Sequence, residues 1–309
     1  MTSSSASGES RLALSAGIAC YLIWGFVPLV FQTIGHMGVG PWEILCHRVL
    51  WSLPTAGLLV ALAGQGGHLI QALRRPRVLA WLTVSSLLIA TNWVVYIWAV
   101  NSGRLLEASL GYYITPLVNM AAGAVLFRER IDRLGYVAMA LAALGVVIQS
   151  VALGGLPIVS LVLAFSFGGY GIVRKRVAAD AQTGFLVECL VVCLPALAYV
   201  LWLERAGHGH FGHAAATTTW LVAAGPITVV PLVLFAWAAR RIPLSAMGFL
   251  QFMSPTIGFV IGLAEGEPFT PLRALSFAVI WSGAAVFLWG AWRKTRALRI
   301  VAPEAAAAE

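Results

Sequence analysis

Apolar runs of about twenty residues, separated by short polar connections, fill the chain from residue 12 to residue 292. A hydrocarbon layer about 30 Å thick needs roughly 20 apolar residues to be crossed as a helix. Cut on that basis, the pattern predicts ten helices, at 12–31, 42–63, 78–100, 105–127, 134–153, 156–173, 184–203, 218–239, 244–264 and 271–292. The connections are too short for a soluble domain. The expected class is an all-α integral membrane protein.

Composition agrees. Hydrophobic residues make up 60% of the 309 and charged residues only 10%, against about 25% in a soluble domain. The net charge of +8 would suggest nucleic acid in a soluble protein. Here the basic residues sit in short connections, which is the signature of membrane orientation. Cys20, Cys46, Cys189 and Cys193 all lie inside apolar runs and read as small apolar filler, with no metal site. No cleaved leader is read. Residues 1–11 and the end of the basic tail, 293–309, read as disordered.

Lys and Arg divide sharply between the two sides. Counting alternate connections from Arg11 gives sixteen on one side; Arg104, Arg205 and Arg273 lie on the other, and Arg48 lies within a span. The bias predicts that both termini lie in the cytoplasm. Membrane lipid is the surrounding partner, and the small-residue faces permit a monomer or a homodimer.

The chain also repeats. Shifting "VVYIWAVNSGRLLEASLGYYITP" (94–116) by 139 residues onto "VLFAWAARRIPLSAMGFLQFMSP" (233–255) pairs Trp98 with Trp237, Leu105 with Leu244 and Pro116 with Pro255. A shift of 138 pairs Glu129 with Glu267 and Gly145 with Gly283. Chance alignment of two apolar stretches is the competing explanation. Sister connections of opposite charge, "FRERIDR" and "EGEPFTP", favour duplication with inversion. The expected architecture is two inverted five-helix repeats, 12–153 and 156–292. Secondary transporters are commonly built so, with the solute site between the halves.

Polar groups inside the runs mark candidate chemistry, because an ionisable residue in a membrane is costly to keep. "PWEILCHRVLWSLP" carries Glu43, His47 and Arg48 at the head of the second run. The plain alternative is interfacial: Glu43 in water and Arg48 snorkelling to headgroups. Aligning Pro54 with Pro195 superposes His47 on Glu188, both seven residues before their proline. That makes His47 and Glu188 a candidate pair of titrating groups, one in each half. Asn92, Tyr96, Asn101, Glu107, Tyr112, Tyr113, Tyr170 and Gln251 are further interior polar groups, which either line a cavity or serve as glue between helices. Trp24 and Trp98 are candidates for a binding wall. His208, His210 and His213, in "RAGHGHFGH", read as a solvated outer connection rather than a metal site.

No G-x-S-x-G, P-loop, C-x-x-C or H-E-x-x-H is present, so neither an enzyme nor an ATP-driven pump is expected. No cofactor is implied.

"EILCHRVLWSLP", "TNWVVYIWAVNSGRLLEASLGYYITPLVN", "FRER", "FSFGGYGIVRK" and "PLSAMGFLQFMSPT" together resemble the RarD-type members of the EamA family, in the drug/metabolite transporter superfamily. The resemblance covers roughly residues 12–292. It implies ten helices in two inverted halves, an inner-membrane location, and export of small metabolites or drugs. It places His47, Arg48, Asn92, Tyr96, Asn101, Glu107, Tyr112 and Gln251 at matching positions. One departure is "LQFMSPT" where "LQYIAPT" is expected, so that Phe252 lacks a hydroxyl.

Together these readings predict a secondary transporter exporting amino-acid-like or amphipathic small molecules by alternating access. Proton coupling stays open. An uncoupled facilitator or channel, and a non-transporting scaffold or sensor, are the alternatives.

Overall fold

The computed structural model describes residues 3–127, 132–239 and 250–306. Among these residues there is no strand, and eleven helices are bounded: α1 (Ser3–His36), α2 (Pro41–Leu62), α3 (Gly66–Arg74), α4 (Pro76–Asn101), α5 (Leu105–Phe127), α6 (Arg133–Leu153), α7 (Ile158–Arg176), α8 (Ala181–Arg205), α9 (Ala215–Ala239), α10 (Met253–Ala264) and α11 (Pro271–Ala306). Each predicted run overlaps one helix. Seven are long and apolar enough to cross a membrane: α1 over Arg11–His36, α2, α4, α6, α8, α9 over Ala215–Phe235, and α11 over Pro271–Gly290. The outward surface carries large apolar side chains such as Leu62, Val125, Val151, Leu156 and Leu194. Such a surface would aggregate in water and is at home in lipid. The protein is a multi-pass membrane protein.

One short helix adds to the expected set, and helical backbone extends toward both ends. The count of ten helices omits α3, a nine-residue helix in the connection after α2. At 1.5 Å per residue it spans only about 13 Å and cannot cross. The ends predicted to be disordered carry helical backbone from Ser3 and on to Ala306. No proline precedes Pro28 to stop α1, and alanine, which fills the tail, is the best helix former. Arg128, Glu129, Arg130, Arg240, Arg241 and Leu244, used above for orientation and repeat, lie outside the described residues.

Local chemistry fixes the helix ends. Pro41 and Pro76 open α2 and α4, where a missing N–H costs nothing. Asp132 caps α6 by accepting from Gly135 N at 2.9 Å. Glu267, in the α10–α11 connection, caps α5 by accepting from Leu105 N and, at 2.9 Å, from Leu106 N. Burial pushes the Glu267 carboxyl above its usual range in spite of these two donors.

The helices pack as a bundle. The principal neighbours are α6 with α11, α5 with α7, α2 with both α8 and α9, α1 with α9, α4 with α7, α1 with α10, α5 with α10, and α4 with α8. The α2–α9 crossing is tight enough to need glycine. A Cβ on Gly225 would lie 2.3 Å from the carbonyl carbon of Trp51, closer than two atoms can approach. α2 sits at the centre of this arrangement, which is why its polar residues are buried rather than in water.

Candidate functional site

Four residues separate Glu43 from His47, so both share one face of α2, with Arg48 about 100° further round. All three are buried, and the interfacial reading of Glu43 and Arg48 fails on that ground. Glu43 accepts from the backbone N of His210 at 2.8 Å and lies 2.8 Å from its Nδ1. At His210 the connection between α8 and α9 therefore folds back onto α2, while His208 and His213 stand exposed, as expected of a solvated connection. Phe211 follows it in. Its ring stacks on His47 with centroids 4.9 Å apart and an interplanar angle of 18°. It also stacks on Trp51 at 5.8 Å. Gly207 and Gly212 bracket this insertion with φ of 71° and 83°, a region costly for other residues. His213 pairs with Glu204 at 3.1 Å. Among the described residues no three His, Cys, Asp or Glu side chains are placed to hold a metal ion.

Beneath this lid lies Arg48. Its Nε donates to Thr228 Oγ1 on α9 at 2.7 Å. Its guanidinium carbon lies 4.0 Å from the ring centroid of Trp93 and 5.3 Å from that of Phe31, which is cation–π geometry. Both ring nitrogens of the neighbouring His47 are buried, with no hydrogen-bond partner among the described residues.

An aromatic series leads inward. Phe31 meets Tyr96 at 6.3 Å, Tyr96 meets Tyr112 at 5.5 Å, Tyr112 meets Phe167 at 5.9 Å and Phe167 meets Tyr170 at 6.0 Å. Tyr112 donates to Asn92 Oδ1 at 2.9 Å, and Asn92 Nδ2 donates to Leu163 O and to Ser166 Oγ at 3.0 and 3.1 Å. At the far end Tyr170 donates to Glu188 Oε2 at 3.2 Å. Glu188 Oε1 accepts from Ser85 Oγ at 2.6 Å and lies 3.5 Å from Arg174 Nη1. At that separation the pair is held by charge, without a hydrogen bond. A small cavity lies among Ser86, Ile89, Trp93, Phe185, Glu188 and Val192. It measures about 10 Å³, room for roughly one water.

The structure thus brings together His47, Arg48, Asn92, Tyr96, Tyr112, Tyr170 and Glu188. It does not bring in the others. Trp24 packs with Tyr21 and Phe235 between α1 and α9. Trp98 faces outward, 41% exposed, beneath Arg104. Asn101 donates to Ile97 O within its own helix and fills the space beside Gly35. Glu107 is held by Arg104 at 2.8 and 3.0 Å. Tyr113 belongs to a separate cluster, stacked on Phe252 and bonded to Thr256 at 2.6 Å, against Phe277 and Trp281. Gln251 is half-buried at the edge of the described residues. Conversely, sequence reasoning missed Thr228, Ser85, Trp93, Arg174 and Phe211. Hydroxyls and rings in apolar runs carry no distinguishing signal, and Arg174 was counted only toward orientation.

Residues 11–151 match the EamA-like transporter family. The chain is similar over most of its length to Protein RarD of Escherichia coli strain K12, with 39% identity over 285 residues, 92% of this chain and 96% of that protein. It is also similar to an "Uncharacterized transporter" of Pseudomonas aeruginosa, with 41% identity over 298 residues, 95% and 98% of the two chains. The chain belongs to the EamA family, among its RarD-type members. One solved crystal structure superposes on this EamA chain with a TM-score of 0.60 at 19% identity, covering 91% of this chain and 98% of that one. That likeness speaks for a shared fold.

Proposed function

We propose that this EamA protein is a secondary transporter that exports small metabolites or drugs by alternating access between two inverted five-helix halves. The observation that carries the reading is the continuous polar and aromatic path from Arg48 to Glu188, formed by α1, α2, α4, α5, α7 and α8 inside a lipid-facing bundle. Buried ionisable groups along a path between helices are what solute passage requires.

Several features support the inversion. Number in order the ten bounded helices other than α3. Exchanging the halves turns the α5–α7 contact into α10–α1, α2–α9 into α8–α4, and α1–α9 into α7–α4, and all of these contacts are present. The buried charges follow the same exchange. Arg48 crosses from α2 to a hydroxyl on α9, and Glu188 crosses from α8 to a hydroxyl on α4. The family match over 11–151 spans one such half. In the orientation predicted by Lys and Arg, the termini are cytoplasmic in the inner membrane. The lid of His210 and Phe211 then closes the outer mouth, while Glu188 lies toward the cytoplasm. His47 and Glu188 are the groups we assign to proton coupling.

The test is uptake by inside-out vesicles from a pool of amino acids and small metabolites, read by mass spectrometry, with and without a pH gradient. Gradient-dependent accumulation that disappears in His47→Ala/Glu188→Gln is expected. Accumulation that ignores the gradient would leave a facilitator. No accumulation by correctly folded protein would remove the transporter reading.

A further inference from the structure

The buried charged groups differ in how they are partnered, and the difference points to the kind of solute. Among the described residues each buried carboxylate has a hydrogen-bonding or ionic partner. Glu43 is held by His210, Glu107 by Arg104, Glu188 by Arg174 with Ser85 and Tyr170, and Glu267 by two amides of α5. Arg48 is different. Among the described residues no carboxylate lies within ion-pair distance of its guanidinium, which donates one hydrogen bond, to Thr228.

A guanidinium has five N–H donors. The faces of Trp93 and Phe31 attract its charge but take no in-plane hydrogen bond from it. Next to it His47, 2% exposed, has both ring nitrogens unpartnered. A guanidinium with donors to spare, beside a buried imidazole whose two nitrogens have no partner, can take a further ligand. The group that satisfies it is planar and anionic, because Arg pairs with a carboxylate through two parallel N–H···O bonds. The flanking rings of Phe31, Trp93, Tyr96 and Tyr112, packed edge to face, supply aromatic surface for the remainder of the molecule.

We infer that the transported solute is an organic anion, a carboxylate carried on an aromatic or apolar body, bound through Arg48 with its body against Trp93 and Tyr96. Glu188, already paired with Arg174, adds no negative charge to repel it. This rests on the reading of Arg48 to Glu188 as the solute path.

The test uses full-length protein in detergent and follows quenching of Trp fluorescence. The probes are 3-phenylpropionate and its neutral isostere 3-phenylpropionamide. The carboxylate should bind at least about tenfold tighter, the worth of one charge-assisted hydrogen bond. Arg48→Gln should abolish the preference, while Arg48→Lys should keep part of it. Equal binding of acid and amide, or binding of neither, by the unaltered protein would overturn the inference even if Arg48→Gln failed to fold. A preference that survives in folded Arg48→Gln would also overturn it. Proteoliposome uptake of the same two probes separates this from the transporter reading. Selective binding without uptake would sink transport and leave the anion site standing. Uptake of the amide as fast as the acid would do the reverse.

Discussion

Glu43→Gln is the substitution that most directly perturbs the lid. In the native protein the Glu43 carboxylate takes the His210 amide at 2.8 Å and meets Nδ1 of the same residue at 2.8 Å. Glutamine has nearly the same shape but a single neutral acceptor. It can keep one hydrogen bond and loses the charge from both. A hydrogen bond to a charged group is worth about 1.5–3 kcal/mol. The His210 side chain is 35% exposed, so solvent screens part of this and the lower end, about 1.5 kcal/mol, is the sensible expectation. That shifts the local opening equilibrium of 206–214 about tenfold. The assay is amide hydrogen exchange read by mass spectrometry, because exchange from a locally opening segment tracks its opening free energy. Peptides covering His210 and Phe211 should exchange about tenfold faster in Glu43→Gln, with peptides from α6 and α11 unchanged. Exchange within about twofold of wild type would show that the carboxylate does not hold the lid, and the stacking of Phe211 on His47 would have to account for closure alone.

Four other predictions concern the site and its supports. Tyr112→Phe removes the hydroxyl that holds Asn92 and should slow transport severalfold in vesicles. Tyr113→Phe, losing its bond to Thr256, should lower thermal stability by about 1 kcal/mol and leave transport intact. Gly225→Val forces side-chain atoms into the Trp51 backbone. It should cost at least about 1–3 kcal/mol, seen as loss of monodisperse protein on size-exclusion chromatography. Glu267 gives a pH effect of definite sign. Its carboxyl is held above the ordinary carboxylate range in the folded protein, so its contribution to stability is full at acid pH and falls as pH rises through that raised value. Glu267→Gln should flatten the decline in melting temperature on raising the pH from about 4 to about 7.

The crossing helices were legible because the length of an apolar run is set by the membrane itself. The head of α2 was legible too, since Glu43, His47 and Arg48 are conspicuous in an apolar run, and Glu188 followed from the proline register. Other features needed the third dimension. Tyr112 and Tyr113 are adjacent, and only the rotation of α5 decides that one faces Asn92 and the other Phe252. Trp93 and Trp98 differ in the same way, one under Arg48 and one toward lipid. The docking of His210 was hidden because its attachment to Glu43 spans 167 residues of sequence. The short amphipathic α3 was hidden by two glycines at its start, which lower helix propensity.

The central claim is a single site exposed alternately to the two sides, and counterflow in proteoliposomes tests it most directly. Liposomes holding purified protein are loaded with unlabelled solute found in the vesicle screen, then diluted into a trace of the labelled form. Alternating access predicts a transient overshoot of label inside, driven by outward movement of the unlabelled solute, and its loss in Arg48→Gln/Glu188→Gln. Uptake that rises only to the external concentration, with no stimulation by internal solute, would mean an open channel and contradict the account.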